Sequence, residues 1–159
     1  MTGSSLVALG GFLLLSLLVA TSGILFKPGA WYEGLRKPGW TPPNLAFPIV
    51  WSVLYVLMAV SGWLVWREAG LTLIPFSIFA IQMILNFLWS MFFFGWRRPD
   101  LAFIDIVLLW LAIAVTIVAF WPTSPTAAFL LVPYLLWVTI ASALNLSVWN
   151  LNRGRGVFA

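Results

Sequence analysis

Five apolar runs of membrane-crossing length dominate the chain, at roughly 6–26, 46–66, 73–96, 101–121 and 126–149. Each holds about 20 residues or more, enough to cross a ~30 Å hydrocarbon core at ~1.5 Å per residue. Only 8% of the 159 residues are charged. A soluble domain carries about 25%, so this chain has too few charges to cover a water-facing surface. Leu, Ile, Val and Phe come in runs rather than in alternation, which favours helices over a barrel of period-two strands. The expected fold class is all-α. It is an integral membrane bundle of five transmembrane helices, one domain over 1–159, with a long loop at about 27–45 between the first two.

Pro48 and Pro75 fall near the starts of the second and third runs, where a first helical turn tolerates them. Pro133 lies inside the fifth run and predicts a kink. The first run reads as a retained helix rather than a signal peptide. No Lys or Arg precedes Lys27, and the run exceeds the usual ~7–15 residues of a signal-peptide core.

The cations sort by loop. Lys27, Arg36 and Lys37 follow the first helix, Arg97 and Arg98 the third, Arg153 and Arg155 the fifth. Only Arg67 falls on the other side. The bias places the long loop and the C-terminus in the cytosol and the N-terminus outside, in a multi-pass topology. Loop cations meeting headgroups account for the net charge of +4, so no nucleic-acid partner is expected. No internal repeat divides the five helices into inverted halves, which argues for one compact bundle over an alternating-access transporter.

Cys and His are both absent. That removes disulfides, thiolate and imidazole metal ligands and the usual general base. No metal site is expected, and no nucleophile–base pair can be assembled. The carboxylates are Glu33, Glu68, Asp100 and Asp105. Asp105 lies inside the fourth run, where a carboxylate is a functional candidate by default; within reach of Arg97 and Arg98, it reads first as a structural ion pair or an interfacial carboxylate.

Several of the 11 Trp fall at span ends. Trp63, Trp66, Trp96, Trp121 and Trp149 read as an interfacial belt. Trp110 has no polar neighbour at helical spacing and reads as lipid-facing. Trp51, Trp89 and Trp137 lie within spans and belong to polar stripes. Gln82, Asn86, Trp89 and Ser90 share one face of the third helix. Trp137, Ala141 and Asn145 share one face of the fifth, and Trp51 and Tyr55 one face of the second. Amides avoid lipid, so the stripes should converge inside the bundle. Two readings stand: interhelical hydrogen-bond glue, or a pocket for a flat hydrophobic ligand oriented by amides.

The segment "WYEGLRKPGWTPP" (31–43) followed by "FPIVWSVLY" resembles the first loop and second helix of the TspO/translocator protein family. "QMILNFLWSMFFFG" (82–95) is similar to its third-helix pattern, and "PYLLWVTIASALN" (133–145) to its fifth. The resemblance implies a five-helix receptor or sensor, often a homodimer, with a pocket beneath the first loop. It implies porphyrins such as protoporphyrin IX and haem as ligands, with sterols and benzodiazepine-type compounds also bound in the family. By position it implies that Trp31, Tyr32, Trp40, Trp51, Asn86, Trp89, Trp137, Ala141 and Asn145 line or close the pocket. It also implies a photochemical role for Trp51 and Trp137 in light-dependent porphyrin breakdown. Leu146 and Ser147 stand where the animal proteins' sterol motif carries Tyr, which points to a bacterial-type member.

No cofactor is required on this reading; porphyrin or haem is a ligand. A flat ring can stack on Trp or Tyr, and Arg36 and Lys37 can attract its propionates. Without His or Cys the strong axial haem ligands are missing, so metal-free porphyrin should bind at least as well as haem. Prolines and glycines make 31–43 a semi-rigid lid. The competing classes are a porphyrin or sterol transporter and a structural or assembly protein.

Overall fold

The computed structural model of the chain describes residues 3–158. Helix α1 (Gly3–Ala20) breaks at Thr21 and resumes as α2 (Ser22–Leu25). The connecting loop carries one short helix, α3 (Ala30–Glu33). Then come α4 (Ala46–Ala69), α5 (Leu73–Ser90), α6 (Pro99–Phe120), α7 (Pro125–Leu130) and α8 (Val132–Asn152). No strand occurs among the described residues. The five spans are Gly3–Leu25, Ala46–Ala69, Leu73–Gly95, Pro99–Phe120 and Pro125–Asn152.

Local chemistry sets the ends. Gly70, at φ 68°, takes the left-handed turn that closes α4 and donates its N–H to Trp66 O at 2.7 Å. Pro99 and Pro125 open α6 and α7 in first turns, where the missing N–H is no loss. Pro133 does more than bend the fifth span. It lacks the N–H that would bond Phe129 O, and the helix stops at Leu130 and restarts at Val132.

The third span contains a feature absent from the sequence reading. After Ser90 the chain passes directly into a π-helical turn, Met91–Gly95, whose closing bond runs from Trp96 N to Met91 O at 2.8 Å.

Neighbouring contacts run α4–α1–α5–α6–α8 and return from α7 to α4, closing the five spans into a ring. At the end remote from the long loop, Phe12, Phe76, Phe79 and Phe120 form an aromatic core, with Phe79 and Phe120 stacked at 5.5 Å. Gly62 lets α1 approach α4: a Cβ there would lie 2.9 Å from the Phe12 ring. Ser61 donates to Ala127 O at 2.8 Å and ties α4 to α7. The exposed surface carries Val7, Leu14, Ile84, Val118 and Leu136, as hydrocarbon solvent requires.

Two aromatics depart from expectation. Trp63 is buried rather than belt-like, its indole donating to Ser5 O at 3.0 Å. Trp110 does not simply face lipid; it donates to Thr139 Oγ1 on α8 at 2.8 Å. Trp96 and Trp121 are exposed at span ends.

The long loop, the 96–98 linker and the 153–158 segment gather at one end. Trp31 donates to Val157 O at 2.8 Å and meets Phe93 at 6.0 Å.

Candidate ligand-binding cavity

At that end a cavity of about 540 Å³ opens between α2, α4 and α5 under the long loop. Its volume lies within the ~300–1,000 Å³ typical of small-molecule sites. Phe47, Trp51 and Tyr55 form the α4 wall, and Asn86, Trp89 and Ser90 the α5 wall. Tyr32 and Glu33 roof it, with Pro28 and Asn44 at the mouth. On the remaining side it is bounded by Gly23 and Ile24 of α2 and by Pro48 and Ser52 of α4. All four are exposed and belong to two of the candidate membrane spans.

Helical phase places the aromatic faces. Trp51 and Tyr55 are one turn apart and stack at 5.6 Å with 28° between planes. Trp89 and Phe94 are five residues apart, a spacing that would put them about 140° apart on a regular α-helix. The π turn, with its i→i+5 period, brings them onto one side, with ring centroids 5.9 Å apart.

Two hydrogen-bond relays fix the polar groups. Tyr55 OH donates to Asn86 Oδ1 at 2.8 Å, and Asn86 Nδ2 donates to Tyr134 OH at 2.8 Å. The Asn86 amide is thereby held between α4 and α8. Trp89 Nε1 donates to Asn145 Oδ1 at 3.0 Å, and Asn145 Nδ2 donates to Pro99 O at 2.8 Å. Ser22 and Ser90 join α2 to α5 at 3.3 Å.

The residues expected at the pocket divide. Tyr32, Trp51, Asn86 and Trp89 line the cavity. Asn145 stands behind Trp89 and acts as glue. Trp137 stands behind Phe47, their rings 5.7 Å apart, and its indole N–H is buried without a partner. Ala141 is buried in the core. Trp31 faces the C-terminal segment, and Trp40 is 51% exposed and off the wall. Asn145 joins helices without lining the cavity, whereas Asn86 both joins helices and lines it. Gln82 does neither: it is buried below the cavity with both amide atoms unpartnered.

Asp105 needs a correction. Arg98 pairs instead with Asp100, two residues away, at 2.6 Å. Asp105 is buried at 4% exposure and its Oδ2 has no partner. The short sequence separation and first-turn position of Asp100 gave Arg98 a nearer carboxylate.

Glu33 is the one charged residue lining the cavity among the described residues. Lys37 does not enter; its ammonium lies 4.4 Å from the centre of the Tyr32 ring and reaches Glu33 O and Leu35 O. Lys27 lies in the chain between the lining residues Phe26 and Pro28 and is exposed. Burial pushes the Tyr32 phenol above its ordinary pKa of 10, so it stays a neutral stacking face at pH 7.

The sequence reading did not assign Tyr134, Ser22, Phe94 or Asn152. Tyr134 stood in plain view in "PYLLW", one turn before Trp137. Phe94 was hidden because its phase depends on the π turn.

The model of the TspO/MBR family matches residues 7–150. The chain belongs to the TspO/MBR family. It is 44% identical to Protein CrtK of Rhodobacter capsulatus over 84% of this chain and 85% of that protein. It is 39% identical to the Tryptophan-rich sensory protein of Cereibacter sphaeroides, covering 86% and 85% respectively. The Translocator protein of Sus scrofa is 39% identical over 93% of this chain and 86% of its own length. Membership of the TspO/MBR family supports a membrane receptor or sensor role in general.

Proposed function

We propose that this TspO/MBR-family protein binds porphyrins, protoporphyrin IX foremost, in the cavity under the long loop, and thereby acts in tetrapyrrole handling and stress sensing. One observation carries the reading: a ~540 Å³ cavity lined by Tyr32, Trp51, Tyr55 and Trp89, with a fixed amide at Asn86. Such a site suits a flat aromatic ring with one polar contact. Propionates leave through the mouth toward Lys27. Haem gains nothing from its iron here. The cavity's phenols are Tyr32, under Lys37, and Tyr55, whose hydroxyl already serves Asn86.

Light-dependent breakdown of the bound porphyrin belongs to the same proposal. The porphyrin is the photosensitiser and dioxygen is the oxidant that is reduced as the ring is oxidised; Trp51 is the wall residue positioned to exchange an electron with the excited ring, and Trp137 lies behind Phe47. A homodimer in the bilayer, with the N-terminus outside and the cation-rich end in the cytosol, completes the reading.

The test is a protoporphyrin IX titration in nanodiscs, first in darkness and then under light. Quenching of Trp fluorescence at micromolar ligand supports binding, and its absence favours a structural or assembly protein. The exposed boundary at Ile24 and Ser52 favours one other reading, lateral transfer of a hydrophobic cargo. Porphyrin flux in proteoliposomes without added partners would establish that transporter reading over a receptor.

A further inference from the structure

Tyr32 and Glu33, which roof the cavity, are flanked by two tethers to the far end of the chain. On one side, Trp31 Nε1 donates to Val157 O at 2.8 Å, and its ring meets Phe158 at 6.5 Å. Gly156, at φ 64°, makes the left-handed turn just before Val157. On the other side, Asn152 treats Arg36 as a strand neighbour would. Its Oδ1 accepts from Arg36 N at 3.0 Å, and its Nδ2 donates to Arg36 O at 2.8 Å. Asn152 is 0% exposed, Nδ2 also donates to Val148 O, and Arg155 donates to its Oδ1 at 2.9 Å. Its amide is therefore fixed before it meets the loop.

The remainder of the loop differs. Between Pro38 and Asn44 its hydrogen bonds are local, from Thr41 N and Oγ1 to Pro38 O and from Ala46 N to Pro43 O. Trp40 there is exposed.

We propose that Asn152 is a positioning residue for the ligand cavity: through Arg36 it sets the height of the Tyr32–Glu33 roof, while the Trp40 half of the loop moves independently. A side chain buried at the end of α8 thus controls a cavity it does not touch. This rests on the cavity being the ligand site, as proposed above.

The experiment has two arms on the full chain in nanodiscs. Hydrogen exchange without ligand reads the clamp, and protoporphyrin IX titration reads the site. In the wild type, residues 31–37 exchange more slowly than 38–45. Asn152→Ala removes two loop hydrogen bonds, so exchange in 31–37 rises roughly tenfold or more and porphyrin Kd rises roughly tenfold, with the spans unchanged. Asn152→Asp keeps the acceptor and loses the donor, and falls between. Unchanged exchange in a folded Asn152→Ala protein overturns the proposal, and so does faster exchange with unchanged Kd. Should Asn152→Ala not fold, Asn152→Asp and Trp31→Phe are read the same way, and unchanged exchange in both overturns it. Failure of the wild type to bind porphyrin removes the ligand reading, and the exchange arm still decides the clamp.

Discussion

Trp89 on α5 and Asn145 on α8 are joined by a 3.0 Å hydrogen bond, and Asn145 passes a second bond to Pro99 O on α6. Three helices meet through one amide that is 1% exposed. Asn145→Ala removes the partner of the part-buried Trp89 indole N–H. The expected loss is about 1–3 kcal/mol, read as a lower thermal midpoint in detergent. Porphyrin affinity falls as well, because the Trp89 ring loses its fixed angle.

Asn86 holds its orientation only through its neighbours. Tyr134→Phe removes the acceptor for Asn86 Nδ2 without touching the cavity wall. Porphyrin Kd should rise by roughly three- to tenfold, as expected for one net hydrogen bond of about 1 kcal/mol. Asn86→Leu should weaken binding more, since it also strands the Tyr55 hydroxyl. Fluorescence titration of both variants checks the order.

Charge at the mouth gives a salt test. If Lys27 meets the propionates, wild-type affinity declines as salt rises and screening shortens to ~3 Å at 1 M. Lys27→Glu should weaken binding roughly threefold at low salt, in the range of exposed ion pairs, and flatten the salt dependence. Lys37→Gln should change it less, because Lys37 lies over the Tyr32 ring.

Photochemistry separates the two tryptophans. Trp51 lines the cavity and Trp137 does not. Under light, Trp51→Phe should slow bleaching of bound porphyrin more than Trp137→Phe. The rates are compared at saturating porphyrin, so that affinity does not enter. Equal and unchanged rates would remove the electron-transfer role from both.

The spans were legible because a bilayer punishes polar residues over a length that any reader can count. The same rule exposed Asn86 and Trp89: an amide inside hydrocarbon has to turn inward, and helical spacing carries its neighbour along. Trp137 and Ala141 share a stripe with Asn145 yet line no part of the cavity. Spacing places residues on a helix face, but the rotation of α8 against α4 is set by packing, including Phe47 in front of Trp137. Asp105 was misjudged because nothing in its own run reveals that Arg98 turns to Asp100. The Arg36–Asn152 clamp joins positions 116 residues apart, a separation at which no local pattern speaks.

The boundary at Gly23, Ile24, Pro48 and Ser52 has a thermodynamic consequence. Under the lateral-transfer reading proposed above, a ligand reaching the cavity there leaves acyl chains, not water, and lipid tails are as apolar as Leu. Greasiness then cancels between the two phases. A more hydrophobic compound partitions more strongly into the bilayer without being held better by the protein. Selectivity falls to ring stacking and the Asn86 amide, and dissociation constants for this site belong on a scale of ligand per lipid rather than ligand per litre.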